Sequence, residues 1–249
     1  MTMNYKIMQL RDLFAVQAHW GWWYFLLKRL RNFNPKSEWL GAIDVVLDRI
    51  EQHTQQISMQ FDQRYGTETF RRLDVPVSDD AENDTVWGYC AINQDFFREI
   101  LRSIPRSLSS YTFTDIGSGK GAAVLMASEF PFRRYIGIEL SQELIEIAKH
   151  NCEKFNSVTG NQFEPEWVHC DFFKWSMPPE PHLFFFNNPF PAMLALSAIQ
   201  KLEDSLTDHG QPALLVFRNT PQVVADYLTR SKFWKPLRLA PYWQVYAAN

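Results

Sequence analysis

From about residue 86 onward, short apolar runs alternate with longer stretches in which apolar residues recur every three or four positions. Runs of five or six apolar residues are typical of buried strands, and the longer period is typical of helices. The runs predict strands at Tyr111–Ile116, Tyr135–Glu139, Trp167–Cys170, Leu183–Phe186 and Ala213–Arg218. The amphipathic stretches predict helices at Asp95–Ser103, Gly121–Glu129, Gln142–Phe155, Ala192–Leu206 and Gln222–Arg230.

This alternation predicts an α/β fold, a parallel sheet with helices on both faces. The tail contains Leu237–Leu239 and Trp243–Tyr246 on either side of Pro241, which predicts an antiparallel hairpin at the sheet edge. Seven strands would result.

A different pattern precedes the sheet. Residues 1–65 have helical spacing, broken at Asn34-Pro35, and Asp74–Thr85 is acidic and poor in apolar residues. We therefore predict an N-terminal helical segment over 1–73, a linker or loop over 74–85 and the α/β domain over 86–249.

Composition excludes several classes of protein. The 249 residues are 46% hydrophobic with a net charge of -3, which is typical of a globular chain and gives no electrostatic argument for nucleic-acid binding. Cys90, Cys152 and Cys170 lack the spacing of a disulfide framework or a metal site. No secretory signal is evident at the N-terminus, so we expect a cytoplasmic protein without a bound metal.

The candidate chemistry begins after the first predicted strand, at Asp115-Ile-Gly117-Ser-Gly119-Lys-Gly121. Glycines at a strand-to-helix turn allow a ligand to approach the backbone closely. The next strand ends at Glu139, where a carboxylate accepts hydrogen bonds from a ribose. Together these features predict a nucleoside-type cofactor.

The glycine spacing also fits a dinucleotide site, because Gly117, Gly119 and Ala122 match the form GxGxxA. Asp115 favours a different ligand, since a carboxylate attracts a cationic amine and repels an anionic pyrophosphate. Lys120 does not complete a phosphate-binding loop, because the other residues of that motif are absent.

Over residues 86–249 the chain resembles the class I S-adenosylmethionine-dependent methyltransferases, through DIGSGKG at 115–121, GIEL at 137–140 and HCDFF at 169–173. The resemblance implies a Rossmann-like sheet that binds S-adenosylmethionine and releases S-adenosylhomocysteine. It assigns the cofactor's methionine part to the first motif, its ribose to Glu139 and its adenine to Asp171, with Phe172 packed beside the adenine. The residues of the first motif assigned to the cofactor are Asp115, Gly117, Ser118, Gly119 and Gly121.

The fourth predicted strand ends in Asn187-Asn188-Pro189-Phe190. This is similar to the Asn-Pro-Pro-aromatic motif of methyltransferases that act on amino groups, with Asn in place of the first Pro. The resemblance implies that Asn187, Asn188 and Phe190 form the catalytic acceptor site. The alternative is that the two asparagines only end a strand and form a turn.

A narrower resemblance is to the non-SET histone-lysine methyltransferases and to uncharacterised bacterial methyltransferases related to them. It rests on FNNPF, on Trp87-Gly88-Tyr89 and on FDQRYG at 61–66. It places Tyr89 at the cofactor, although Cys90-Ala91 replaces the Glu-Pro pair that follows this tyrosine in those relatives.

The resemblance implies N-methylation of an amino group, with protein lysine as one acceptor class. An O-methyltransferase of a small metabolite is the enzyme alternative, and a non-catalytic nucleotide-binding or adaptor protein is the alternative from another class. The expected partner is thus a protein or small-molecule methyl acceptor.

An aromatic cluster, Trp20–Phe25, precedes Lys28, Arg29 and Arg31. Its apolar stretch is much shorter than the roughly 20 residues that span a bilayer. We expect these residues to pack on the α/β domain as a lid or platform for the acceptor. Peripheral contact with a membrane or a partner is the alternative.

Overall fold

The computed structural model describes residues 59–70, 92–240 and 242–248, which belong to the compact unit Ile57–Asn249. The aromatic cluster Trp20–Phe25, the acidic segment 74–85 and the loop Trp87–Tyr89 lie outside the described residues. The domain boundaries therefore remain a prediction. In the described ranges, no helix is long and apolar enough to cross a membrane.

Seven strands form a single sheet in the order β3-β2-β1-β4-β5-β7-β6. The strands β1 to β5 are parallel, and β7 is antiparallel to both β5 and β6. Their bounds are β1 Thr112–Ile116, β2 Arg134–Glu139, β3 Glu166–His169, β4 His182–Asn187, β5 Ala213–Arg218, β6 Trp234–Leu239 and β7 Trp243–Ala248. The predicted α/β class, the seven-stranded sheet and the closing hairpin are confirmed.

The hairpin strand β6 begins three residues earlier than its apolar pattern predicts. Pro236 and the charged Lys235 obscure the strand, and the pairing with β7 shifts register between Pro236 and Arg238. A proline is tolerated there because β6 lies at the edge of the sheet.

Within the described residues 92–240, five helices cover the sheet: α1 Gln94–Arg102, α2 Ala122–Ala127, α3 Gln142–Thr159, α4 Ala192–His209 and α5 Gln222–Arg230. The predicted ends of α3 and α4 were too early. Each helix continues to a glycine in the left-handed conformation, Gly160 with φ 70° and Gly210 with φ 62°, which ends a helix without steric cost.

Two apolar layers bury both faces of the sheet. Consecutive residues of β4 alternate between them, with Leu183 and Phe185 in one layer and Phe184 and Phe186 in the other. Residues of α1, α2 and α3 contribute to the first layer, and residues of α4 and α5 contribute to the second. This two-sided burial explains why the strand is continuously apolar in sequence.

Residues 59–70, which the sequence analysis grouped with the N-terminal helices, contribute to the first layer. Residues 59–65 are helical, and Phe61 and Tyr65 are buried. Their ring centroids lie 6.2 Å and 4.7 Å from that of Phe155 on α3. This short segment is therefore part of the core of the sheet domain.

We expect Phe61→Ala to lower the free energy of unfolding by about 3 kcal/mol, because it leaves a cavity beside Phe155. Urea denaturation measures the change. Met59→Ala is the matched control on the same helical segment, since Met59 is 50% exposed, and it should change stability by less than about 0.5 kcal/mol. A Phe61→Ala protein as stable as the control would show that this packing contributes little.

Candidate functional site

The sequence motifs meet at the carboxyl edge of the sheet. The chain leaves β1 toward β2 on one side, and β4 pairs with β1 on the other. A crevice opens where the strand order reverses in this way, and ligands of open α/β sheets bind there. The glycine turn follows β1, Glu139 ends β2 and Asn187 ends β4, so the structure brings these three predicted elements together.

The turn after β1 is held by the neighbouring strand. The backbone nitrogens of Gly117 and Ser118 both donate to the carbonyl oxygen of Ile138, each at 2.9 Å. Gly117, Gly119 and Gly121 have φ values of 74°, 52° and 83°. Residues with side chains rarely adopt this left-handed conformation, so the three glycines are required by the backbone.

Two of these glycines are also required by their neighbours. A Cβ atom on Gly121 would lie 2.5 Å from the Trp167 ring, so this position supports packing between the turn and β3. A Cβ atom on Gly117 would lie 2.6 Å from Cβ of Pro189. The glycine turn and the Asn-Asn-Pro-Phe turn are therefore in direct contact.

Glu139 bridges two backbone segments with its carboxylate. Its Oε2 accepts a hydrogen bond from the Gly119 nitrogen, and its Oε1 accepts one from the Ser141 nitrogen, both at 2.9 Å. A carboxylate oxygen has capacity for more than one hydrogen bond. Glu139 can thus hold the glycine turn in place and still accept from a ligand hydroxyl.

Asp115 is buried at the centre of the site, with 3% of its surface exposed. Its Oδ1 has no hydrogen-bond partner among the residues that the structure describes, and the same is true of the nearby Ser118 Oγ. Burial, with a smaller contribution from the charge of Glu139, raises the pKa of Asp115 from 3.8 to about 8. A buried carboxyl group of this kind is stabilised in its charged form only when a cation or a donor joins it.

The end of β3 supplies a polar cap and an aromatic pair. Oδ1 of Asp171 accepts from the Phe173 nitrogen at 2.9 Å. Phe172 is 4% exposed, whereas its neighbour Phe173 is 37% exposed. The predicted adenine neighbour Phe172 thus belongs mainly to the core.

Leu140 was missed by the sequence analysis. It follows Glu139 directly and is 61% exposed. A large apolar side chain exposed at the carboxyl edge of a sheet is available to pack on a flat ligand. Its sequence signal is its position after the acidic residue at the end of β2.

The three predicted acceptor-site residues, Asn187, Asn188 and Phe190, are close in sequence but have different surroundings. Asn187 Oδ1 accepts from Nη1 of Arg218 on β5 at 2.8 Å. Asn188 has φ 57°, a left-handed conformation that asparagine tolerates. The Phe190 ring lies 5.9 Å from those of Phe172 and Phe173, so it joins the aromatic pair at the end of β3.

A buried lysine ties the segment 67–70 to the glycine turn. Lys120 is fully buried, and its Nζ lies 3.4 Å from Oε1 of Glu68. Asn151 on α3 accepts from the Glu68 nitrogen and donates to the Lys120 carbonyl oxygen. These contacts give Lys120 a structural role. Because the contacting residues are far apart along the chain, no local sequence pattern predicts them. Tyr89, the remaining predicted cofactor residue, lies outside the described residues.

The histidines and cysteines of the described ranges do not form a metal centre, since no group of three or more His, Cys, Asp or Glu residues there is arranged to hold an ion. His182 is buried, with Nδ1 2.9 Å from Thr114 Oγ1 and Nε2 3.1 Å from the Pro178 carbonyl oxygen. Burial lowers its pKa. These contacts indicate a structural role.

Comparison with known proteins adds a family match. The sequence matches the family model described as "Histone methylation protein DOT1" over residues 80–176. No curated protein matches it.

The fold is similar to those of solved methyltransferases. The magnesium protoporphyrin IX methyltransferase of Synechocystis PCC 6803, with bound SAM, is 14% identical, with a TM-score of 0.46 over 62% of this chain and 78% of that one. An RNA methyltransferase from Salinibacter ruber, in complex with S-adenosyl-L-homocysteine, is 15% identical, with a TM-score of 0.44 over 64% and 92%.

The strand order and the glycine turn after β1 are those of a Rossmann-like α/β sheet. Within it, the chain is similar to the DOT1 family over residues 80–176.

Proposed function

We propose that the protein methylates an amino nitrogen, with a protein lysine side chain as the favoured acceptor. The observation that carries the proposal is the contact between Gly117 and Pro189, which sets the Asn-Asn-Pro-Phe turn directly against the cofactor turn. The match to a family model described as a histone methylation protein supports the choice of acceptor class.

In this proposal the cofactor is held by groups with different chemistry. Asp115 pairs with its amine, because a buried carboxylate without a hydrogen bond on Oδ1 is stabilised by a cation. Glu139 accepts from the ribose hydroxyls, and Asp171 accepts from the adenine amino group. Leu140 and Phe173 are the exposed apolar side chains beside these acceptors. Gly117, Ser118, Gly119 and Gly121 shape the turn that allows close approach.

When bound, S-adenosylmethionine supplies a methyl group from its sulfonium, which becomes a neutral thioether once the methyl is transferred. The residues contribute mainly by positioning, since an in-line displacement depends on alignment. Asn187 and Asn188 orient the acceptor nitrogen through amide or backbone oxygens. Phe190 excludes water from the acceptor. A water-poor site lowers the pKa of an amine and thereby favours its neutral, nucleophilic form.

The first experiment incubates the protein and labelled S-adenosylmethionine with cell lysate, and separates protein from small molecules. We expect label in protein that survives base treatment, because N-methyl groups are not hydrolysed under conditions that cleave methyl esters. Label confined to small metabolites would favour the O-methyltransferase alternative. Cofactor binding without transfer to any fraction would favour the non-catalytic one.

With a labelled acceptor in hand, Asn188→Ala should lower turnover by at least about tenfold and leave S-adenosylhomocysteine affinity within a few-fold of wild type. Groups that act on the transition state affect kcat more than ground-state binding. Ser197→Ala on the nearby helix α4 is the control, since Ser197 is exposed. If Asn188→Ala and Asn187→Ala both turn over at the wild-type rate, the asparagines only end a strand.

Asp115→Asn should raise stability and weaken cofactor binding. Because its folded pKa is raised from 3.8 to about 8, Asp115 contributes stability that is present below pH 3.8 and lost as pH rises through 8. The asparagine side chain does not ionise and so avoids this loss of stability. The variant's melting temperature should therefore exceed that of wild type at pH 8 to 9.

For the same reason, wild-type affinity for S-adenosylhomocysteine should rise as Asp115 loses its proton near pH 8, and Asp115→Asn should abolish this rise. Calorimetry at pH 6 to 9 measures both. Asp226→Asn, at an exposed position on α5, should change neither property. A variant that binds as tightly as wild type across this range would rule out the amine contact.

Glu139→Ala should weaken S-adenosylhomocysteine binding by more than about tenfold, since hydrogen bonds to a charged acceptor contribute about 1.5 kcal/mol or more. The change removes the ribose acceptor and the bond that holds the Gly119 nitrogen. Glu143→Ala, an exposed position on the first turn of α3, is the matched control and should bind normally. Wild-type affinity in a folded Glu139→Ala protein would show that the ribose role is wrong.

A further inference from the structure

We propose that Arg218 is a positioning residue for the methyl-transfer site, acting through its hydrogen bond to Asn187. The inference rests on the proposed function and extends it to β5, where the sequence marks no motif. Arg218 and Asn187 are paired residues at the carboxyl ends of adjacent parallel strands. Both are half-buried at the edge where the cofactor and acceptor turns meet.

The bond determines which way the amide faces. Nη1 of Arg218 lies 2.8 Å from Oδ1 of Asn187. A guanidinium has donors only, so the amide must present its oxygen to Arg218, and because a carbonyl oxygen has two lone pairs the same oxygen can also accept from a ligand amine. A hydrogen bond with one charged partner is shorter and stronger than one between neutral groups, and it restricts rotation of the amide.

Arg218 is itself held in place by two neighbouring elements. Its guanidinium carbon lies 5.7 Å from the centre of the Phe96 ring on α1, within range of a cation–π interaction. The next residue, Asn219, has φ 52°, and its nitrogen donates to the Tyr242 carbonyl oxygen at 2.9 Å. These contacts hold the strand end that carries Arg218 in place.

A fixed amide affects methyl transfer because alignment is the main contribution of the site. Without Arg218, the Asn187 amide would sample several rotamers, and only some of them would serve the acceptor nitrogen. Lysine would keep the positive charge but not the planar guanidinium, so Arg218→Lys should retain only part of the wild-type alignment of the Asn187 amide.

The test uses two cofactor analogues and needs no acceptor. S-adenosylhomocysteine lacks the methyl group, whereas sinefungin carries an amine on carbon at that place. The ratio of their affinities therefore reports on groups that face the transferred methyl. A change in affinity that both analogues share reports on the rest of the cofactor site. Calorimetry gives both values for wild type, Asn187→Ala, Arg218→Gln, Arg218→Lys and the double variant Asn187→Ala with Arg218→Gln.

We expect Asn187→Ala and Arg218→Gln each to lower the preference for sinefungin by about fivefold, the effect of one hydrogen bond. Affinity for S-adenosylhomocysteine should stay within about threefold. The double variant should lose no more than either single one, because Arg218 acts through Asn187. Arg134→Gln is the control, since Arg134 is exposed at the opposite end of the sheet and pairs with Glu166 and Glu180.

Three results would overturn the inference while leaving the proposed function intact. They are an unchanged sinefungin preference in Arg218→Gln, single effects that add in the double variant, and an equal loss of affinity for both analogues, which a merely structural residue would cause. Failure of the wild-type protein to bind either analogue would instead refute the proposed function, and the inference with it.

Discussion

The contact between Gly117 and Pro189 is the constraint on which the rest of the site depends. The strand β1 lies between β2 and β4 in the sheet, so the turns that follow β1 and β4 emerge side by side. They approach so closely that a Cβ atom on Gly117 would lie 2.6 Å from Pro189. One turn carries the groups proposed for the cofactor and the other those proposed for the acceptor. Their contact explains how Gly117 and Pro189, which are far apart along the chain, belong to one site.

Ionisation of Asp115 costs the folded protein stability. Asp115 is buried, and burial raises its pKa to about 8. Such a residue destabilises the protein at neutral pH and above unless a cation binds, which is typical of functional positions. Glu139 differs, because two backbone nitrogens hold its carboxylate in place. The two carboxylates thus have separate roles that follow from their surroundings.

The sequence allowed the strands, the glycine turn and the position of Glu139 at the end of β2 to be predicted because each rests on a local pattern. Apolar runs mark strands buried on both faces, and left-handed turns demand glycine. The bonds from Arg218 to Asn187 and from Lys120 to Glu68 connect residues that are 31 and 52 positions apart. No local pattern predicts such pairs. Phe190 was assigned to the acceptor, and only the folded chain reveals that its ring packs on Phe172 and Phe173.

We expect this site to bind S-adenosylmethionine rather than a dinucleotide, although the glycine spacing fits both. We expect Asp115, once ionised, to attract the amine of the first ligand and to repel the pyrophosphate of the second. Parallel calorimetric titrations of the wild-type protein with S-adenosylhomocysteine and with NAD test this most directly. We expect saturable binding of S-adenosylhomocysteine and no measurable binding of NAD. Tight binding of NAD, with no response to S-adenosylhomocysteine, would contradict this expectation.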